Sequence, residues 1–161
     1  MSRIIAFYLN NEPNPQGRTL DDIWRMSDED LLAAHDVVQW LFPLAEASKF
    51  QPQSPVLTDK QIEAFRGDAR LQENLRRSFV RMMQVFGLAY DGREVWQTGN
   101  VDIWMHLNHN WLRFTRILKS LTLLGAPDEA MAFLRFLEKK IGNVPSMEYW
   151  RKAVGLDSRR I

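Results

Sequence analysis

The chain has no cysteine. Disulfide frameworks, thiolate-ligated zinc, iron–sulfur clusters and thiol nucleophiles are therefore all excluded. It also lacks an excess of either charge: Lys+Arg 21 against Asp+Glu 20 leaves +1, a balance that makes neither nucleic acid nor an anionic membrane an obligatory partner. No uninterrupted apolar run approaches the roughly 20 residues a membrane-spanning helix needs. The opening run Ile4-Ile5-Ala6-Phe7-Tyr8-Leu9 is shorter than the apolar region of a signal peptide and has no small-residue cleavage site after it. The expectation is a cytoplasmic protein without a membrane span. GxxxxGK[ST], GxGxxG and GxSxG are also missing, which argues against a nucleotide-phosphate loop and a nucleophile elbow. There is no internal repeat.

What is present is an ordinary globular composition, 45% apolar and 25% charged over 161 residues. One domain over 1–161 is expected, able to fold without metal or disulfide. Ile4 to Leu9 reads as a short extended segment, followed by turn formers from Asn10 to Arg18. Thr19 with Asp22 opens a helix over Leu20, Ile23 and Trp24. Ser27, followed by Asp28, Glu29 and Asp30, opens another through Leu31, Leu32, Ala34 and Val38, stopped by Pro43. After a proline-containing loop, Thr58 with Gln61 starts a helix over Ile62 and Phe65 that ends at Gly67. Asp68 caps a long helix whose Leu71, Leu75, Phe79, Met82 and Phe86 form one apolar stripe.

At Tyr90-Asp91-Gly92-Arg93 the periodicity breaks at a tight turn, and Arg93 to Val101 reads as an ordered loop. From about Asp102 to Leu124 the spacing of Trp104, Leu107, Trp111, Phe114, Leu118 and Leu121 is helical throughout, with Gly125 as the stop. Two further helices follow, Asp128 to Ile141 and one after Pro145 through Tyr149, Trp150 and Val154. The fold expected is all-α, an irregular compact bundle of about six to seven helices with a short extended N-terminal segment.

The second face of the Asp102–Leu124 helix carries His106, His109, Asn110, Arg113, Arg116 and Ser120, interleaved with Ile117 and Leu124. Apolar neighbours on a polar arc mean that protein covers it and that its polar groups have partners. Two readings follow. One is a pocket for a peptide or a small anion, with Arg forks matched to a carboxylate. The other is a polar network that pins neighbouring helices. His106 and His109 stand at i and i+3 with Asp102 a turn before, but Arg113 in the same arc opposes a divalent ion, so no metal is expected, and no cofactor. His35-Asp36 is no dyad, because adjacent helix residues do not face each other. Arg70, Arg77 and Arg81, with Arg76, form a stripe that could follow a nucleic-acid backbone; Glu73 at i+4 from Arg77 favours a solvated charged face, so nucleic acid is not the expected partner.

Two segments, His35-Asp36-Val37-Val38-Gln39-Trp40-Leu41-Phe42-Pro43-Leu44 and Asn108-His109-Asn110-Trp111-Leu112-Arg113-Phe114-Thr115-Arg116-Ile117-Leu118-Lys119-Ser120-Leu121, resemble the conserved domain of the opioid growth factor receptor family. Weaker agreement, including Phe7-Tyr8-Leu9-Asn10 and Leu57-Thr58, extends the likeness over roughly residues 5 to 140. The resemblance implies a domain unrelated to seven-helix opioid receptors, which in animal members binds an enkephalin-type pentapeptide and acts in growth control around the nucleus. Those members carry long further C-terminal regions, so what it implies here is the fold and a ligand-facing surface, and it brings no catalytic residues. The leading expectation is a binding or interaction module for a peptide, a small anionic ligand or a protein partner, with His106, His109, Asn110, Arg113 and Arg116 at the site. The alternatives are an enzyme using His106 or His109 as general base, and a nucleic-acid-binding helical domain.

Overall fold

A computed structural model describes residues 2–49, 51–99, 108–142 and 144–156. The chain runs through α1 (Arg3–Tyr8), α2 (Leu20–Trp24), α3 (Asp28–Ala33), α4 (Val38–Leu41), α5 (Asp59–Gly67), α6 (Ala69–Val85), β1 (Leu88–Tyr90), β2 (Val95–Gln97), α7 (Asn108–Leu123), α8 (Pro127–Ile141) and α9 (Ser146–Ala153). It is largely helical, with one two-stranded antiparallel sheet.

The helix starts follow the capping residues. Thr19 and Asp22 form a capping box, as do Thr58 and Gln61. Ser27 accepts the N–H of Asp30, and Asp68 accepts those of Arg70 and Leu71. Gly125, at φ +88°, ends α7, and the N–H of Ala126 reaches back to the Leu121 carbonyl. Two side chains from elsewhere complete that end: Arg66 donates to the Leu123 carbonyl at 2.8 Å and Gln72 to the Leu124 carbonyl at 2.7 Å.

Three expectations are corrected. The N-terminal run is the helix α1, not an extended segment. Its β-branched and aromatic residues favour a strand in isolation, but the helix puts Ile4, Phe7 and Tyr8 together in the core, and burial outweighs local preference. Asn10 ends it in the left-handed region at φ 61°, with the N–H of Asn11 bonded to the Ala6 carbonyl at 2.9 Å. The loop read over Arg93–Val101 contains a strand: Leu88 pairs with Gln97, Ala89 with Trp96 and Tyr90 with Val95, across a turn in which the Asp91 carboxylate accepts the N–H groups of Arg93 and Glu94. Strands of three residues are too short to alternate visibly. Finally, the helix opened by Ser27 does not run to Pro43, because Ala34 turns extended (ψ 127°) and helix resumes only at Val38.

The core is one cluster. Phe114 of α7 meets Phe86 at 5.0 Å, Phe133 of α8 at 5.3 Å and Trp150 of α9 at 6.0 Å between ring centroids, and Phe79 meets Phe133 at 6.2 Å. Trp111, expected in the core, lies half-buried at its margin against Trp150. Trp104 and Leu107, expected on the same stripe, fall outside the described residues.

Tyr8 ties α1 to this cluster. Its hydroxyl donates to the Leu41 carbonyl at 2.5 Å and lies 2.9 Å from the Ser78 hydroxyl, which also accepts the Trp24 indole N–H. Burial pushes the phenol well above its ordinary range, against a smaller opposing effect of the Ser78 bond. In the unfolded chain the phenol ionises near pH 10, whereas in the fold it stays protonated, so the native state binds the extra proton and stability falls as pH rises past 10. The stability advantage of the wild type over Tyr8→Phe should accordingly shrink by about 1.4 kcal/mol per pH unit above 10. Urea melts of both proteins at pH 9, 10 and 11 measure it, and a constant difference would contradict it.

Candidate functional site

The polar face of α7 is packed against the chain between α3 and the residues after α4, and its groups are occupied. Arg113, 7% exposed, donates from Nη2 to the carbonyls of Leu32 (3.0 Å) and Ala34 (2.9 Å), and from Nη1 to Asn110 Oδ1 (3.3 Å). Arg116 donates from Nε to the Phe42 carbonyl (2.9 Å) and from Nη2 to the Gln39 carbonyl (3.4 Å). One turn on, the Ser120 hydroxyl donates to the Pro43 carbonyl at 2.8 Å. The bend at Ala34 leaves free carbonyls that a continuous helix would keep for itself, and Arg113 Nη2 takes both.

These bonds engage part of each guanidinium without neutralising it. Among the described residues no carboxylate pairs with Arg113, and burial alone pulls its pKa below the usual arginine range. Burial lowers that of Arg116 to about 10, with Glu46 as the partial counterweight. Glu46 itself pairs with Lys119. Two half-compensated cations therefore face a groove of about 760 Å³ between α7 and residues 35–51, lined also by His35, Val38, Gln39, Leu44, Lys49 and Leu112. Gln39 adds a second feature, for its side-chain Oε1 is buried and has no hydrogen-bond partner among the described residues.

Of the five residues expected at the site, Asn110, Arg113 and Arg116 are brought together as described. His106 lies outside the described residues, and of His109 only the backbone helix is described. His35, Gln39 and Lys49 also line the groove, and sequence periodicity on α7 could not place them, because they come from another segment; the family-like run His35–Leu44 was the available signal. His35 is exposed, and the neighbouring Asp36 pairs with Arg18 at 3.4 Å.

The arginine stripe of α6 is exposed at Arg70, Arg76 and Arg77, the solvated face expected, and only Arg81 is drawn inward. Arg81 donates to the carbonyls of Trp24 (2.9 Å) and Met26 (2.8 Å) and pairs with Asp28 at 2.7 Å. Arg77 lies 4.2 Å over the Trp24 ring, and Arg76 pairs with buried Glu129 at 3.0 Å. These contacts tie α2 and α8 to α6 while Arg76 and Arg77 stay exposed. Among the described residues no three His, Asp or Glu side chains converge as metal ligands would, and no helix is long and apolar enough to cross a membrane.

Fold and groove together define a class: a largely helical domain with a cationic groove walled by arginines that double as main-chain anchors. The family model for the opioid growth factor receptor (OGFr) conserved region matches residues 2–158, and the chain belongs to that family. It is 35% identical over 143 residues to the opioid growth factor receptor of Mus musculus, covering 82% of this chain and 22% of the relative. To opioid growth factor receptor-like protein 1 of Xenopus tropicalis it is 31% identical over 161 residues, covering 89% and 30%. The chain thus spans less than a third of the length of these relatives. No solved structure matches it.

Proposed function

We propose that this domain is a cytoplasmic binding module whose ligand, a peptide or small anion, lies in the groove between α7 and residues 35–51. The observation that carries the reading is the pair Arg113, buried, and Arg116, half-buried, both held by neutral carbonyls at the groove wall. A buried cation held by neutral acceptors carries a desolvation cost that an arriving carboxylate offsets, and Arg presents the fork that carboxylates match. The relatives' name, opioid growth factor receptor, agrees with a ligand-binding role, and a cysteine-free chain suits a reducing compartment. His106 and His109 stay candidates for the same site through their place in the α7 pattern.

Leu112 gives a clean test, being 62% exposed and lining the groove. Leu112→Glu sets a carboxylate one turn before Arg116, an i,i+4 pair that stabilises a helix by about 0.3–0.5 kcal/mol. The variant should melt at or slightly above the wild-type temperature and lose the ligand. Native mass spectrometry of both proteins, purified gently from the cells that make the chain, checks this: a bound mass is expected on the wild type and missing from the variant. Bare chains from both, or the same mass on both, would overturn the reading.

A further inference from the structure

The groove between α7 and residues 35–51 concentrates positive charge. Lys49, Arg113, Arg116 and Lys119 line it, and Glu46 is the one carboxylate among its described lining residues, an excess of three in a chain whose net charge is +1. The four cations differ in what they offer a ligand. Arg113 is buried and turned to the carbonyls of Leu32 and Ala34, so it adds to the field and makes no new contact. Arg116 is half-buried and gives Nε and Nη2 to carbonyls, which leaves Nη1 over. Lys49 and Lys119 are exposed, and Lys49 pairs with no carboxylate among the described residues. Glu46 already marks where an anionic oxygen sits, for it pairs with Lys119 and partly offsets the burial of Arg116.

That excess is more than one carboxylate balances. Near neutral pH a phosphate monoester brings at most about two negative charges, and an ester of diphosphate about three, spread over two linked groups. The spread matters. Arg116 and Lys119 stand one turn apart on α7 while Lys49 comes from the facing segment, so a compact anion on one wall leaves the other unanswered. A volume of about 760 Å³ suits an organic ligand better than a lone ion, and Val38, Leu44 and Leu112 give such a ligand apolar surface. We infer that the groove binds an organic diphosphate, with the diphosphate between Arg116, Lys119 and Lys49 and the organic group against Leu44 and Leu112. Arg116 supplies a guanidinium edge and the lysines supply point charges, the two ways in which side chains hold phosphate. The ligand displaces Glu46 from Lys119. This rests on the groove reading above and narrows its small anion to one chemical class.

Calorimetric titration of the full chain in magnesium-free buffer tests it, with inorganic pyrophosphate, orthophosphate, citrate, ADP and geranyl diphosphate as probes. Pyrophosphate should bind at least about tenfold more tightly than orthophosphate or the charge-matched citrate. Lys49→Gln should weaken it about tenfold, the loss of one charge-assisted hydrogen bond. Glu46→Gln should tighten it about threefold by removing the competing carboxylate. Both side chains are exposed, so both variants should melt with the wild type. Arg70→Gln makes the same charge change on an exposed part of α6 and should leave the affinity alone; an equal loss there would reduce the binding to net charge and overturn the site. Tighter binding of ADP than of pyrophosphate assigns a nucleoside, and of geranyl diphosphate an isoprenoid, whereas pyrophosphate binding as well as both would overturn the organic group. Citrate as tight as pyrophosphate would overturn the diphosphate and leave an anion-binding groove. No heat from any probe, with a bound mass in native spectra still lost on Leu112→Glu, would overturn the diphosphate alone. No heat together with bare wild-type chains would overturn both readings.

Discussion

Arg113→Ala is expected to lower the unfolding free energy by about 2–4 kcal/mol, because the carbonyls of Leu32 and Ala34 both lose a charged donor. For a chain of this size that corresponds to roughly 5–15 °C in melting temperature. Relief of the guanidinium's own burial offsets part of the loss, and the figure allows for it. Arg113→Lys restores the charge but has a shorter reach than Nη2 and lacks the Nη1 donor to Asn110, so it should recover only part of the stability. Thermal melts of the three proteins check the order wild type, Lys, Ala. An alanine variant as stable as the wild type would show that the two bonds contribute nothing. Since this residue also walls the groove, Arg113→Ala cannot separate binding from folding, whereas Leu112→Glu can.

The next residue supports the opposite side of the same helix. Phe114 is 1% exposed and meets rings on three other parts of the chain, Phe86, Phe133 and Trp150. Truncation to alanine opens a cavity between α7, α8 and α9 and should destabilise by about 3–5 kcal/mol, the range for buried aromatic deletions. Phe114→Leu keeps most of the volume and should cost appreciably less. Urea unfolding gives both values. A loss under about 1 kcal/mol for the alanine variant would mean that the three partners close the gap without strain, contrary to the close packing of protein interiors.

The sequence made the helices legible wherever a cap and an apolar stripe coincided. Thr19, Ser27, Thr58 and Asp68 each announced a start through a side chain bonded two or three residues on, an interaction wholly local. What stayed hidden was decided at long range. Residues 3–8 are helical because of contacts with Trp40, Phe65 and Ser78, which no local pattern encodes. The carbonyl freed by the break at Ala34 is taken up by Arg113, 79 residues away. The candidate site divides in the same way. Periodicity on α7 put Asn110, Arg113 and Arg116 on one face, and the interleaved Ile117 and Leu124 correctly implied that protein covers it. The unpartnered Oε1 of Gln39 had no such signal, because an acceptor without a partner is recognisable only once its surroundings are known.

Toward residues 32–43 the hydrogen-bonding anchors of α7 put side chains on one partner only. Arg113, Arg116 and Ser120 all grip carbonyl oxygens, at Leu32, Ala34, Gln39, Phe42 and Pro43. A carbonyl is presented alike by every amino acid, so a gripped residue outside the core can change its side chain without releasing the grip, whereas Phe42, 0% exposed, is held by the core as well. Leu32 and Ala34, neither fully buried, are thus positions whose side chains can vary while the backbone frame stays put. The grip rests on the three donating residues, and variation is permitted opposite them wherever the core does not reach.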